Sequence, residues 1–361
     1  MTEKLFYADA HMRKFTARVL SCEERGKLYA VTLDRTAFFP EGGGQGGDVG
    51  TLGGVGVADT REENGEIVHF CASPLTLGAE VTGEIDWETR FARMQIHSAE
   101  HLVSGHAHSL WGCENIGFHM DEHGATIDFD RELDAEQLAQ LERLANEAVW
   151  QNLPINILWP TEEELAALPF RQKKALTMPV RIVEVPGVDR CACCAPHVSF
   201  TGEIGLIRLK DRMRHRGGVR FTMLAGRTAY EDAALCAAET EALSRLFSAP
   251  QNALCAAAER VLGELEAEKY QRAAAERRYV EARLAALAPC EGNRLFFEDG
   301  LSSAALRALA EGGKTRCTGV CAALCAEDGG YRYVMASESV DLRAAAKGIN
   351  AVLSGRGGGA P

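Results

Sequence analysis

No stretch of roughly 18 uninterrupted apolar residues occurs in the chain, so the sequence predicts no membrane span. The opening MTEKLFYADAHMRK lacks the apolar core of a signal peptide, which predicts a cytoplasmic protein. Positive charge is in short supply. Lys and Arg number 39 against 51 Asp and Glu, a formal net charge of −12 at pH 7, and that balance ordinarily argues against a nucleic-acid partner. Twelve cysteines occur without any secretion signal, which argues against a disulfide scaffold and predicts free thiols or metal ligands.

What is present is ordinary for a soluble chain: 361 residues, 46% apolar and 25% charged, enough for two or three domains. The charge is uneven. RLKDRMRHRGGVR, residues 208–220, carries six Arg or Lys and one Asp. Such a stretch is either a solvated hairpin with a charged face or a local patch that binds phosphates. Within it, Arg216 and Arg220 are the candidate substrate contacts.

The pattern predicts an α+β multidomain fold. Residues 1–86 alternate apolar and polar in FTARVLSC and KLYAVTLD, then pass into TAFFPEGGGQGGDVGTLGGVG. Glycine is so dense there that only short strands and tight turns fit, and a small Gly-rich β-barrel is the simplest architecture. Residues 87–228 read as a mixed α/β domain, the candidate zinc-binding domain. A helix runs from about residue 87 to Gly112, a second is capped by Asp134, and a hairpin turns at Arg216-Gly217-Gly218. Residues 229–289 read as a long helical hairpin, a linker or arm broken at SAPQN, with Ser248 as the cap of a second helix of about 38 residues. Residues 290–361 return to a small α/β domain. There CTGVCAALCAEDGGYRYVMAS predicts a hairpin turning at Asp328-Gly329-Gly330, with Cys317, Cys321 and Cys325 on one strand face.

The chemistry concentrates in two places. In IHSAEHLVSGH, His97 and His101 stand four apart, so a helix aims both imidazoles the same way. In RCACCAPHVSF, Cys193 and His197 have a C-x-x-x-H spacing, and zinc accepts mixed nitrogen and sulfur donors. Two alternatives compete. Cys191, Cys193 and Cys194 could form a metal cluster by themselves. HSAEH also spells H-x-x-E-H, the inverted zinc-protease signature, in which Glu100 would activate water and an acid such as Glu162, Glu163, Glu164 or Glu184 would complete the site. His106 falls about 140° round the helix from His101 and should face away, whereas His108 is nearly in line but two turns distant.

Taken in order, TAFFPEGGGQGGDVG, IHSAEHLVSGH, GFHMDEHGATIDFD, CACCAPHVSFTGEIG and RGGVRFTMLAG resemble the editing module of alanyl-tRNA synthetase and its freestanding relatives, the AlaX alanyl-tRNA editing proteins, over about residues 5–230. The helical section and the part ending SGRGGGAP resemble the C-terminal region of the same synthetase, including its glycine-rich DHH-associated domain, as in the long form of AlaX. That last domain stops inside the glycine-rich motif, which suggests truncation. The resemblance implies a zinc-dependent deacylase acting in trans on tRNA(Ala) mischarged with Ser or Gly. A pocket that activates alanine cannot strongly exclude either neighbour, so a second hydrolytic site is needed. It implies that His97, His101, Cys193 and His197 bind Zn2+, that Thr36 hydrogen-bonds the serine hydroxyl, that Gln45 lines the same pocket, and that Gly42, Gly43 and Gly44 let backbone approach the aminoacyl end. The chain departs from the family at CCAPH, where Pro196 replaces a threonine, and at Phe39, where tyrosine is usual.

The segment before residue 36 is too short for a synthetase catalytic domain, so ligase activity is not expected. The long helical arm is compatible with a homodimer, although the sequence does not fix the oligomeric state. The competing readings are a zinc metalloprotease, sensitive to Glu100→Gln and indifferent to Cys193→Ala, and a tRNA-binding module with a structural zinc and no turnover. The module would bind RNA with a steep salt dependence. Glu100 is expected to be incidental to the chemistry, orienting a histidine at most.

Overall fold

The structure is a computed structural model that describes residues 2–121, 123–172, 178–327 and 329–357. The architecture is mixed α and β, with several sheets and seven α-helices among the described residues. The chain divides into two compact units, one ending at Glu239 and one beginning at Thr240. No helix among the described residues is long and apolar enough to cross a membrane.

Early in the first unit, six strands form a ring: β1 (Lys14–Arg25), β2 (Leu28–Leu33), β3 (Gly50–Leu52), β4 (Val55–Glu63), β5 (Glu66–Cys71) and β6 (Glu80–Ile85). They pair in the order β1-β2-β5-β4-β3-β6, and β6 returns to β1, so the sheet closes on itself without a free edge. The period-2 alternation of β1 and β6 sends Phe15, Ala17, Val19, Val81 and Ile85 into a core completed by Leu33, Phe38 and Leu52.

Helix α1 (Trp87–Trp111) follows, started by the Asp86 side chain accepting from the Thr89 amide and ended by Gly112 in the left-handed conformation. From Ile96 to Gly105 it is buried on every side, so the polar residues in that stretch need partners from other elements. The partners come from three directions. One is the glycine-rich loop of the ring. Another is a four-stranded antiparallel sheet of β7 (Asn115–Asp121), β8 (Gly124–Phe129), β12 (Ile207–His215) and β13 (Gly218–Ala225), in the order β12-β13-β8-β7. The third is a small sheet in the order β9-β10-β11, from β9 (Asn156–Leu158), β10 (Ile182–Val185) and β11 (Asp189–Ala192). Helix α2 (Ala135–Trp150) carries the expected Asp134 cap, completed by Gln137 as a capping box, and α3 (Glu162–Ala167) is capped in the same way by Thr161 and Glu164. The hairpin at Arg216-Gly217 forms as expected, with φ of 48° and 84°, the left-handed pair that matches strand twist in a two-residue turn.

The helices α4 (Arg227–Phe247) and α5 (Leu254–Ala285) follow. In the second unit, α5 has 32 residues rather than about 38. Ser248 is not its cap: it sits at φ 49° in the preceding turn, and a 3-10 segment, Gln251–Ala253, intervenes before the helix starts. Strands β14 (Arg294–Glu298), β15 (Val320–Glu327) and β16 (Gly330–Ser337) form a sheet with α6 (Ser303–Lys314) packed on it, and α7 (Leu342–Leu353) comes last. Cys321 and Cys325 point into that core from one face of β15. Cys317 precedes the strand, contrary to expectation, and its backbone bridges to Cys290. Asp328 lies outside the described residues, while Gly329 takes a left-handed φ of 82° at the turn.

Candidate metal centre

Helix α1 supplies a stripe of residues at helical spacing: Arg90, Arg93, His97 and His101. The first two anchor the glycine-rich loop. Arg90, fully buried, bonds to the Asp48 carboxylate, and Arg93 donates to the Gly47 carbonyl at 2.6 Å. Asp48 also accepts from the Phe39 amide at 2.6 Å, which closes the loop from residue 39 to residue 48. At its tip, Gly42 and Gln45 exchange both backbone hydrogen bonds at 3.0 Å. Gly43 and Gly44 fill the turn with φ of 62° and 85°. A side chain at Gly44 would meet the Phe118 ring at 2.7 Å, so glycine is required there twice over. The tight turn brings Gln45 against His97, whose Nδ1 lies 3.2 Å from Oε1 of Gln45.

The other two candidates arrive on the segment after β11. One donor atom each from His97, His101, Cys193 and His197 lies within 4.8 Å of the others, and all three imidazoles are at most 3% exposed. The Cys193 sulfur stands 3.5 Å from Nε2 of His97 and 3.4 Å from Nε2 of His197. A tetrahedral zinc with Zn–S of about 2.3 Å and Zn–N of about 2.05 Å needs an S···N edge of about 3.6 Å, so the donor set fits the ion. The outer nitrogens are also engaged. His97 Nδ1 faces Gln45, His101 Nδ1 donates to Asp189 at 2.8 Å, and His197 Nδ1 donates to Ser98 Oγ at 3.0 Å. This orients every Nε2 toward one point, the arrangement that metal-binding histidines require. Burial opposes ionisation of the Cys193 thiol, but His97, His101 and His197 outweigh it and hold its pKa well below the ordinary value. A thiolate is the form that binds metal.

Asp189 was not foreseen from the sequence. It reaches His101 because Gly105 leaves no side chain in the way: a Cβ there would meet Asp189 at 2.6 Å. Arg171 grips the same carboxylate through two hydrogen bonds of 2.7 and 2.9 Å. The glycine of VSGH is thus a readable signal of close approach, although nothing in the sequence names what approaches. Glu100 is 2% exposed, accepts from Ser104 and Asn115, and has Oε2 4.0 Å from Nε2 of His101.

The alternatives separate. Cys191 groups with His101 and Asp189, Cys193 joins the histidines, and Cys194 turns outward beside Gly42 and Gly43. Of the acids a protease would need, Glu184 pairs with Arg190 and Glu162, Glu163 and Glu164 lie exposed on α3. His106 and His108 are outside the donor group, and His108 pairs with Glu114 at 2.9 Å.

Thr36 is sealed from solvent, and its hydrogen-bond partners are His69 and Phe38 rather than the donor group. The Val31 carbonyl can only accept, so His69 carries its proton on Nδ1 and Thr36 donates to Nε2 at 2.8 Å. In the basic stretch, Arg220 is bound bidentately by Asp128 at 2.6 and 2.7 Å. Lys210 pairs with Asp232 and Arg214 with Glu132, so much of the patch is internally compensated. Arg216 stands in the turn itself. Pro196 follows Ala195 in the metal segment, and Phe39 packs edge-on against Phe6 at 5.4 Å.

Comparison with known proteins gives a consistent picture. The family described as tRNA synthetases class II (A) matches residues 2–89, and the threonyl and alanyl tRNA synthetase second additional domain matches residues 180–221. The chain is 34% identical over 239 residues to the alanyl-tRNA editing protein AlaX-M of Saccharolobus solfataricus, covering 62% of this chain and 99% of that protein. It is 32% identical over 223 residues to the editing protein AlaX-L of Pyrococcus horikoshii, covering 58% and 54%. It is 37% identical over 248 residues to the alanine–tRNA ligase of Pyrobaculum arsenaticum, covering 62% and 27%. The chain thus spans between about a quarter and about half of the longer curated relatives it matches.

Proposed function

The chain belongs to the alanyl-tRNA editing protein family, and from that premise we propose that it is a zinc-dependent hydrolase that removes serine, and also glycine, from mischarged tRNA(Ala). The observation that carries the reading is the convergence of three imidazole nitrogens and one thiol beside a buried amide. With Oε1 facing the His97 N–H, the Gln45 side chain is left with an NH2 that has no partner among the described residues. A buried donor without a partner costs about 1–3 kcal/mol, a cost that a substrate carbonyl or ester oxygen would relieve on binding. Bound Zn2+ would supply Lewis acidity toward the ester. His97, His101, Cys193 and His197 hold the ion in this reading, and Asp189, Ser98 and Gln45 keep the imidazoles aligned. Burial around the site excludes bulk water, so these dipoles act at low dielectric.

Thr36 is assigned the discrimination between serine and alanine. Its proton is committed to His69 and its oxygen accepts from the Phe38 amide, which leaves one further lone pair as an acceptor for a seryl hydroxyl that alanine cannot supply. Arg216 and Arg220, with Gly42, Gly43 and Gly44, are assigned to substrate binding. The ring is read as the small barrel of the family, residues 87–228 as its zinc-binding editing domain, 229–289 as the arm and 290–361 as the C-terminal domain. The reading extends to a homodimer through the arm, along which Leu246, Leu262 and Leu265 are exposed. A single-chain mass in light scattering would remove that part. The test of the function is release of serine from Ser-tRNA(Ala). The expected result is release that a chelator abolishes and zinc restores, with loss in Cys193→Ala. Release no faster than the spontaneous rate would overturn the proposal.

A further inference from the structure

Beside the metal segment lies an aromatic step that the reading so far does not use. Trp159, directly after β9, is 48% exposed, and its ring meets Tyr7 edge-on at 5.5 Å. Tyr7 packs in turn on Phe6, with ring centroids 4.6 Å apart. Both Tyr7 and Cys193 pack against one small buried cluster of Phe6, Phe39, Ile67 and Ala195, so the step and a metal-site cysteine share a wall. Arg181 ties them further. Its guanidinium stands 5.5 Å from the Tyr7 ring centre, while one amino group donates to the Cys193 and Ala195 carbonyls at 2.8 Å each. Arg181 is 6% exposed, and its Nε has no partner among the described residues. The step is therefore fixed rigidly to the metal segment and carries a buried cation at its base.

We propose that the exposed face of Trp159 stacks the base of the 3′-terminal adenosine of the aminoacyl-tRNA. This deepens the editing reading and rests on it. The ester that must reach the metal site is one ribose away from that base, and the aromatic step begins at the wall of the same site. Stacking on an aromatic face beside positive charge is the usual way a protein holds a single-stranded nucleic-acid end. Tyr7 holds Trp159 upright and Arg181 holds Tyr7, so the platform is preorganised. Its location explains how an acidic protein with an internally paired basic stretch could still place the acceptor end accurately: aromatic area rather than net charge does the holding.

The test compares wild type with Trp159→Leu, which keeps apolar bulk without a ring, and Trp159→Phe, which keeps a ring. The probe is 3′-(L-seryl)amino-3′-deoxyadenosine, an amide-linked mimic of the charged end, measured by calorimetry. Loss of one stacked base weakens binding by roughly tenfold or more. The expected result is that loss in Trp159→Leu, recovery of most of it in Trp159→Phe, and unchanged binding of serinamide, which has no base. With Ser-tRNA(Ala), KM should rise in Trp159→Leu while kcat changes by less than about twofold. Equal affinity for the mimic in wild type and Trp159→Leu overturns the inference, as does a change confined to oligomeric mass. If wild type binds the mimic in a Trp159-dependent way but releases no serine, the platform stands and the hydrolytic reading fails. If serine is released with the same KM in both proteins, the hydrolytic reading stands and the platform fails.

Discussion

Acidification should destabilise the ring through one histidine. His69 is wholly buried, and burial pushes its pKa down from 6.5 to about 4. Its Nδ1–H is held by the Val31 carbonyl, and its Nε2 is occupied by the proton Thr36 donates, so the folded state has no place for a second proton. The unfolded chain takes that proton near pH 6.5. The unfolded state therefore binds more protons between the two values, and stability must fall as pH falls. The contribution is complete above about 6.5, declines through the interval, and is fully lost below about 4. A difference of about 2.5 pH units corresponds to ~3 kcal/mol. Other groups also titrate in acid, so the useful quantity is the difference between wild type and His69→Gln, which cannot be protonated. Hydrogen exchange of the strand amides reports the ring alone and avoids assuming that the whole chain unfolds in one step. Wild type should lose ~3 kcal/mol more protection than His69→Gln between pH 7 and pH 4. A gap between the two proteins that stays constant with pH would refute the reasoning.

Two further outcomes follow from the site. Gly44→Ala places a methyl group at φ 85° against the Phe118 ring and carbonyl at 2.7 and 2.8 Å, whereas Gly54→Ala, at φ 82°, meets nothing within 4 Å. Both should lose the ~1–2 kcal/mol of a left-handed residue with a side chain, and only Gly44→Ala should also weaken zinc binding by shifting Gln45 from His97. Equal zinc affinities in the two variants would show that the turn does not support the site. Asp189→Asn removes the charge that orients His101 and should weaken zinc binding by about 10- to 100-fold in competition with a chromophoric chelator; an unchanged affinity would show that His101 is aligned without it.

Much of the site was legible because it depends on local period. Four residues set His97 and His101 on one stripe, and the same spacing carries Cys193 to His197 on a tight segment. The glycine run was legible as a turn because only glycine tolerates its backbone. Partners contributed by distant elements were not legible. Asp189 reaches His101 and Ser98 reaches His197 across strand and helix, and periodicity says which face a residue occupies but not what lies opposite. Glu100 illustrates the same limit: the sequence assigned it no firm role, and the neighbours that hold it in a buried hydrogen-bond network, Ser104 and Asn115, could not be read from its motif. The charged hairpin shows the same limit, since the sequence could not tell that Lys210, Arg214 and Arg220 pair with Asp232, Glu132 and Asp128, which are far away along the chain. Ser248 failed as a cap because its left-handed backbone ends the turn before the next helix begins.

The most direct test of the account is to titrate zinc into metal-stripped protein while following serine release from Ser-tRNA(Ala). Release should rise in proportion to added zinc and saturate at one ion per chain, with neither binding nor release in Cys193→Ala. Full release from the stripped protein, or one bound ion per chain with no gain in release, would contradict it.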